Sequence, residues 1–237
     1  GDTAIHRQYG TPTAINVAKR MGIKSRLQNV LSLALGTNEI NLLELTNAFG
    51  CLAAEGMRAE PMAILRIEDR NGNTLEEYRE YHEDVLKEEI AYIITDMLTS
   101  VIDEADGTGV AVRAYGLDIP VAGKTGTTDE YTDAWFIGYT PEIVIGIWTG
   151  FDERKTMGSG MAGSRAALPI WVETMKAAYP TNRGPSFRKP ENIIEELICE
   201  ESGLLGTPYC TKVNREIFVA GSEPARHAVG RGDQEMP

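Results

Sequence analysis

The chain has 237 residues, 42% of them hydrophobic, and a formal charge of -12 at neutral pH. That length supports one sizeable core with a small annex, while the acidic balance argues against nucleic acid or an anionic membrane surface as the main partner, since either requires a basic face. No stretch approaches the roughly 20 apolar residues of a membrane span, and the first residues lack the basic, apolar, small-residue order of a signal peptide, so a signal or anchor would lie upstream and this segment would make no membrane contact.

Thr11 reads as an N-cap and Pro12 as the first helical residue, followed by Ala14, Val17, Ala18 and Met21 and a stop at Gly22. A second short helix is expected to carry Leu27, Val30 and Leu31, with Ser32 to Gly36 as a loop. Asn41 then caps a helix, and Glu44 three residues later completes a capping-box pattern. Its core face is Leu42, Leu45, Ala48, Phe49 and Leu52, with Cys51 as a buried free thiol, and it ends near Gly56.

From Pro61 the period drops to two. Ile64 to Asp69 reads as a strand, Asn71-Gly72-Asn73 as a turn and Leu75 to Tyr81 as the return strand. Lys87 to Ile102 is the clearest helix, with Ile90, Ile93, Ile94, Met97, Leu98 and Val101 on one face. A turn at Asp106 to Gly109 leads to a short helix, Val110 to Ala114, and then to three strands in quick succession from Ile119, the third of which, Ile143 to Trp148, is apolar enough to be central in a sheet. A glycine-rich loop, Gly158 to Gly163, leads to a long helix, Ala166 to Ala178, that would pack Leu168, Trp171, Val172 and Met175 across that sheet. After Pro180 the prolines break regularity, Phe187 pins a connection, and the remainder is polar with short apolar runs, Arg226 to Pro237 being mobile. Cys199 and Cys210 flank a glycine-containing stretch, and their pairing stays open.

The stretch Val121 to Thr140, V-A-G-K-T-G-T-T-D-E-Y-T-D-A-W-F-I-G-Y-T, organises the rest. Lys124 on a strand edge fixes a positive charge where an anion can dock, Gly126 opens the backbone to that ligand, and Thr125 and Thr127 add hydroxyls. A phosphate loop ending in Gly123-Lys124-Thr125 would need glycine at the position held by Asp118, whose charge repels phosphate. No metal or cofactor is implied: His6, His82 and His227 stand singly, without a second ligand at helical or turn spacing. Asp129, Glu130 and Asp133 lie near Lys124, where an acid-base pair is conceivable, but read rather as turn groups, with Asp133 holding the turn before Trp135; Trp135, Phe136 and Trp148 could line a ligand groove, but alternation along the strands favours core packing.

Lys124-Thr125-Gly126-Thr127-Thr128, followed by Asp133-Ala134-Trp135-Phe136, Gly138-Tyr139-Thr140-Pro141 and Trp148-Thr149-Gly150-Phe151-Asp152, resembles the bifunctional (class A) penicillin-binding proteins in order and spacing. The resemblance implies an α/β (α+β) fold, an antiparallel sheet packed by helices, of which this chain is an incomplete C-terminal portion. It implies residues 1-180 as part of a transpeptidase domain and 181-237 as a linker and small C-terminal hairpin, the hairpin being Gly203 to Cys210 with Ile217 to Gly221. The implied reaction is acyl transfer from peptidoglycan stem peptides ending in D-Ala-D-Ala, with beta-lactams trapping the same serine.

In that family pattern Lys124 lies beside the nucleophile, the Thr127 hydroxyl binds the substrate carboxylate, the Thr127 N-H is one of two oxyanion-hole donors, and Thr125, Gly126 and Thr128 complete the substrate-binding set. The S-x-x-K nucleophile and the S-x-N loop would come from the N-terminal half of the same domain, since both precede the helix matching Thr11 to Met21. The one internal match, Ser186-Phe187-Arg188-Lys189, is flanked by Pro185 and Pro190 and reads as linker. The implied location is extracytoplasmic, with the anchor in an absent N-terminal segment. A D,D-carboxypeptidase or beta-lactamase of the same fold, and a non-catalytic muropeptide- or beta-lactam-binding module, remain as alternatives.

Overall fold

The computed structural model describes residues 10-228, so His6 and residues 229-237 of the tail lie outside the described residues. Its elements in chain order are α1 (Gly10–Arg20), a 3-10 turn (Leu31–Leu35), α2 (Leu42–Ala53), β1 (Met57–Ala59), β2 (Arg66–Glu68), β3 (Thr74–Glu77), β4 (His82–Asp84), α3 (Glu88–Asp103), α4 (Ala111–Ala114), β5 (Ala122–Thr127), β6 (Asp133–Tyr139), β7 (Val144–Gly150), α5 (Gly163–Ala166), α6 (Leu168–Ala178), β8 (Ile193–Cys199) and β9 (Val213–Val219). The result is the expected mixture of helices and antiparallel sheet.

Short turns after Thr127 and Tyr139 force β5, β6 and β7 into an antiparallel meander, in which Lys124 pairs with Ile137 and Ile137 with Gly146. On one face, Phe136 with Ile145 and Ile147 meets Leu168, Trp171, Val172 and Met175 of α6, together with Ile102, Val112 and Val121. On the other, Ala122, Tyr139 and Val144 meet Phe49 and Leu52 of α2 and Ala91, Ile94 and Leu98 of α3. The central, most buried strand is β6, whereas β7 was expected there. A meander places its middle strand in the middle whatever the apolarity of the third.

Close approach at glycines sets the layer spacing. A Cβ on Gly138 would lie 2.6 Å from the Trp171 ring, whose Nε1 donates to the Gly138 carbonyl at 3.2 Å. A Cβ on Gly146 would lie 2.1 Å from Thr46 Oγ1, so α2 crosses β7 at that residue.

Several expectations are corrected. The helix read over Ala166 to Ala178 is found as α6 from Leu168, and the one-turn α5 before it is separate, because Pro169 near the start of α6 has no N-H for the carbonyl of Arg165. On α3 the most buried residues are Ala91, Thr95 and Ile102, while Ile90 and Met97 are 41% and 65% exposed. The small Ala91 lets the helix close on the sheet, and Thr95 Oγ1 satisfies itself at Ala91 O (2.8 Å) and shares a hydrogen bond with the Tyr139 hydroxyl (2.9 Å). The helix expected around Leu27 to Leu31 is absent, and the stretch read as a loop forms the 3-10 turn. In α1 the helix begins at Gly10, and Thr11, expected to cap it, is buried and bonded to Asn29.

Asn41 caps α2 as expected, accepting from the N-H groups of Leu43 (2.9 Å) and Glu44 (3.4 Å). The reciprocal bond of the capping box is not made. Glu44 instead accepts from the N-H and hydroxyl of Ser25, each at 2.8 Å, and from the Lys24 N-H, contacts that hold its carboxyl below the usual carboxylate range, the Ser25 backbone N-H foremost.

The return strand read over Leu75 to Tyr81 is in fact β3, and the following β4 pairs back with β1. The C-terminal hairpin is β8 with β9, in register from Ile193 opposite Val219 to Cys199 opposite Val213. Its first strand is therefore Ile193–Cys199, where Glu195 and Glu196 hide the alternation, and Gly203 to Cys210 belongs to the connection. Arg226 and Ala228, expected to be mobile, are tied to Leu205 by two backbone hydrogen bonds (3.0 and 2.8 Å), and Ala228 is buried.

Candidate active site

β5 enters the site already fixed at its base. Arg113 donates from Nη1 to the carbonyls of Leu117 (2.7 Å) and Ile119 (2.9 Å) and from Nε to Asp103 (2.8 Å), locking the chain just before the strand. Beyond it, among the described residues β5 has β6 on one side only and so presents a free edge. The side chains alternate: Thr125 and Thr127 lie on the face covered by α6, Lys124 and Gly126 on the opposite face.

Lys124 is exposed, and its amine donates to the Thr125 carbonyl at 2.9 Å, with no ion pair to any carboxylate among the described residues. Thr125 Oγ1 shares a hydrogen bond with Thr108 Oγ1 at 2.8 Å. Thr127 is exposed, and its Oγ1 accepts from the N-H of Gly163 at 3.0 Å. Gly126 passes over Trp135, where a Cβ would lie 3.1 Å from the tryptophan Cβ. The Thr128 N-H is used on the Asp133 carbonyl at 3.1 Å. Successive N-H groups of an extended strand point to opposite sides, so the Thr127 N-H points away from β6, out of the free edge.

The turn after the strand is a hydrogen-bonded knot. Thr128 Oγ1 accepts from the Asp133 N-H (2.8 Å) and contacts Thr132 Oγ1 (2.7 Å), so its hydroxyl is committed within the turn. Asp133 accepts from Trp148 Nε1 (2.9 Å), the Thr132 hydroxyl (2.9 Å) and the Thr128 hydroxyl (3.1 Å). Partial burial by itself raises the Asp133 pKa, yet these donors outweigh it and hold the carboxyl below its ordinary value. Asp133 thus holds the turn as its position in the sequence suggested. Glu130 and Tyr131 adopt φ of 61° and 55°, a left-handed pair that reverses the chain in three residues, and the Tyr131 carbonyl accepts from the N-H of Met157 at 3.0 Å.

Of the three aromatics expected in the core, only Phe136 is fully buried. Trp135 and Trp148 are half-buried, 6.5 Å apart between ring centroids, on the same face as Lys124. Thr108 and Gly163 escaped the sequence reading because each meets β5 from a loop or turn remote in the chain, and Arg113 because its partners are backbone carbonyls, which no side-chain pattern marks. The glycine-rich composition around Gly163 was the one available signal.

Ser186 to Lys189 forms no helix, and the Lys189 amine pairs with Glu195 at 2.8 Å, so no helical turn brings it to the Ser186 hydroxyl. The segment is a strap: Phe187 packs edge-on against Tyr139 (5.7 Å between centroids), and Arg188 Nη2 reaches Glu55 (2.5 Å) and Glu88 (2.6 Å). His82 and His227 are both exposed, and no cluster of three or more potential metal ligands occurs among the described residues.

Residues 7-173 match the family model described as penicillin binding protein transpeptidase domain, and residues 189-227 match the model of the penicillin-binding protein 1A C-terminal domain. Penicillin-binding protein 1A of Aquifex aeolicus is 40% identical over 223 residues, covering 92% of this chain, and penicillin-binding protein 2D of Bacillus subtilis is 35% identical over 229 residues, covering 95%. The chain spans 29% and 33% of the lengths of these two relatives. The crystal structure of penicillin-binding protein 1A from Haemophilus influenzae superposes with a TM-score of 0.85 at 25% identity, covering 96% of this chain and 39% of that one. The PonA1 protein of Mycobacterium tuberculosis in complex with penicillin V shares the fold, with a TM-score of 0.61 at 24% identity over 76% of this chain and 53% of its own.

Proposed function

The chain belongs to the penicillin-binding protein transpeptidase family, and we propose that it forms the carboxylate-recognising portion of a peptidoglycan D,D-transpeptidase domain. The observation that carries this reading is the free edge of β5, where an ammonium without a carboxylate partner, a hydroxyl and an outward N-H lie within four residues.

In the reaction a serine hydroxyl attacks the carbonyl carbon between the two terminal D-alanines of a stem peptide, its proton passing to a base. The tetrahedral oxyanion collapses, the C-N bond breaks, and D-alanine leaves with a proton on its amine. An amine of a neighbouring stem peptide then attacks the acyl-serine ester, and the serine is regenerated. Lys124 and the Thr127 hydroxyl hold the terminal carboxylate, and the Thr127 N-H stabilises the oxyanion. Thr125, Gly126 and Thr128 keep the strand in the shape that presents those groups. A beta-lactam carries the same carboxylate but retains its leaving group after ring opening, which traps the serine. The complex of PonA1 with penicillin V supports extending beta-lactam binding to this chain.

The serine is assigned to the N-terminal half of the domain, supported by the non-helical backbone of the single Ser-x-x-Lys string found here. The uncovered Ile90 and Met97 on α3 suit an apolar contact with that half. Residues 1-180 then belong to the transpeptidase unit and 181-237 to a linker and hairpin. Since the substrate is cell-wall peptide, the domain works extracytoplasmically, held by a segment N-terminal to it.

The test uses the complete protein and a fluorescent penicillin. Lys124→Ala should lower the acylation rate constant about 100-fold, the equivalent of ~3 kcal/mol of transition-state stabilisation, while the melting temperature hardly moves, since an exposed strand-edge side chain contributes little to a core. Parallel loss of acylation and stability would make Lys124 structural and remove the proposal.

A further inference from the structure

We infer that Gly163 is a positioning residue for the Thr127 hydroxyl: its N-H takes one lone pair of Oγ1 and so orients the hydroxyl to donate its proton to a bound carboxylate. The inference rests on the carboxylate-binding role proposed for Thr127 and says what aims that group.

A threonine hydroxyl has one proton and two lone pairs and rotates to suit its neighbours. On an exposed strand edge, next to a lysine ammonium, it could equally accept a proton from the amine or from water. The N-H of Gly163, 3.0 Å away, takes one of the two lone pairs and so narrows the rotation of the hydroxyl. This donor is itself fixed. Gly163 is buried at the start of α5, where the Ala162 carbonyl accepts from the N-H groups of Arg165 and Ala166 (both 2.9 Å) and the Gly163 carbonyl accepts from Ala167 (3.1 Å). The Gly163 N-H is thus held by a formed turn and faces β5.

Only glycine brings a backbone N-H to this place. A Cβ at position 163 would stand 2.3 Å from the Trp135 carbonyl oxygen and 2.6 Å from the Gly126 carbonyl oxygen. Both are backbone atoms of the paired strands β5 and β6 and cannot move aside without parting the ladder. The loop from Met157 to Gly163 is fastened at both ends to the end of β5 and the turn that follows it, through Met157 N-H to the Tyr131 carbonyl and through Gly163 N-H to Thr127. Left-handed Gly158 and Gly160, with φ of 107° and 81°, let it fold over in so few residues.

The test uses the complete protein and compares acylation rate constants for benzylpenicillin and for its methyl ester, which lacks the carboxylate. Replacing Gly163 by glycolic acid exchanges the N-H for an ester oxygen and adds no side chain. Gly163→Ala is made alongside, with melting temperatures for both. The ester-linked variant should lose about tenfold with benzylpenicillin and little with the methyl ester. In a Thr127→Val background the same exchange should have no further effect, since the hydroxyl it orients is gone, whereas Thr127→Ser should retain the sensitivity. Equal losses with both ligands, or losses that simply multiply with Thr127→Val, overturn the role of Gly163 while leaving carboxylate recognition intact. If Thr127→Val itself leaves the preference for the carboxylate unchanged, carboxylate binding by Thr127 fails and the role of Gly163 falls with it.

Discussion

Asp133 joins the end of β5 to the start of β6, and replacing it by alanine removes three acceptor contacts at once: from Trp148 Nε1, from Thr132 Oγ1 and from Thr128 Oγ1, all between 2.9 and 3.1 Å. A hydrogen bond to a charged group contributes about 1.5–3 kcal/mol when shielded. This carboxylate is only partly buried and its three donors share one site, so screening and non-additivity bring the expected loss to ~2–3 kcal/mol. For a unit of roughly 200 residues that corresponds to a fall in melting temperature of about 4–12 °C. The pH dependence has a definite sign. The folded-state pKa of Asp133 is depressed, so its contribution is fully present above the ordinary aspartate range, about pH 4, and is lost as the pH falls through the lower folded-state value. Asp133→Asn keeps the shape and removes the titration. Melting followed from pH 7 to pH 2 should therefore show wild type and Asp133→Asn converging at the acid end. Curves that stay parallel throughout, or a loss below about 0.5 kcal/mol for Asp133→Ala, would refute the turn-holding role.

Gly146→Ala should destabilise by about 1–3 kcal/mol through overpacking, because its Cβ would fall 2.1 Å from Thr46 Oγ1; chemical denaturation should show part of the loss recovered by adding Thr46→Ala. Arg188→Ala should free the strap from Glu55 and Glu88, so that limited proteolysis cuts between residues 181 and 190 faster than in the wild type, the more so at low salt, where the intact pairs are least screened. Thiol labelling of the native chain at pH 8 should spare Cys51, buried and pushed up to about 11 mainly by desolvation, and should modify the half-buried Cys210 ahead of the buried Cys199. With glutathione disulfide as oxidant, Cys199 and Cys210 should lose two hydrogens to form one intramolecular bond and release two glutathione thiols, read by mass spectrometry as a cross-linked peptide pair.

The meander from Ala122 to Gly150 was legible because its information is local: alternation sets which residues share a face, and turns of four or five residues leave adjacent strands no choice but antiparallel pairing. The chemistry of Lys124 to Thr127 was legible in the same way, since a cation, a glycine and two hydroxyls within four residues need no distant partner to be recognised as anion-binding in character. Tertiary structure alone decided which groups meet those side chains. Thr108 reaches Thr125 across 17 residues and Gly163 reaches Thr127 across 36, and no periodicity of the backbone encodes such encounters. The buried face of α3 was decided in the same manner. Its apolar residues cover more than one face, and the sheet selected the side where Ala91 and Thr95 permit the closest approach, leaving Ile90 and Met97 outside. Pairing of β1 with β4 and of β8 with β9 likewise depends on partners 25 and 20 residues away in the central pairs Arg58 with Glu83 and Glu196 with Glu216. Local sequence fixes what an element can be, and the surface available in three dimensions selects which of its faces is used.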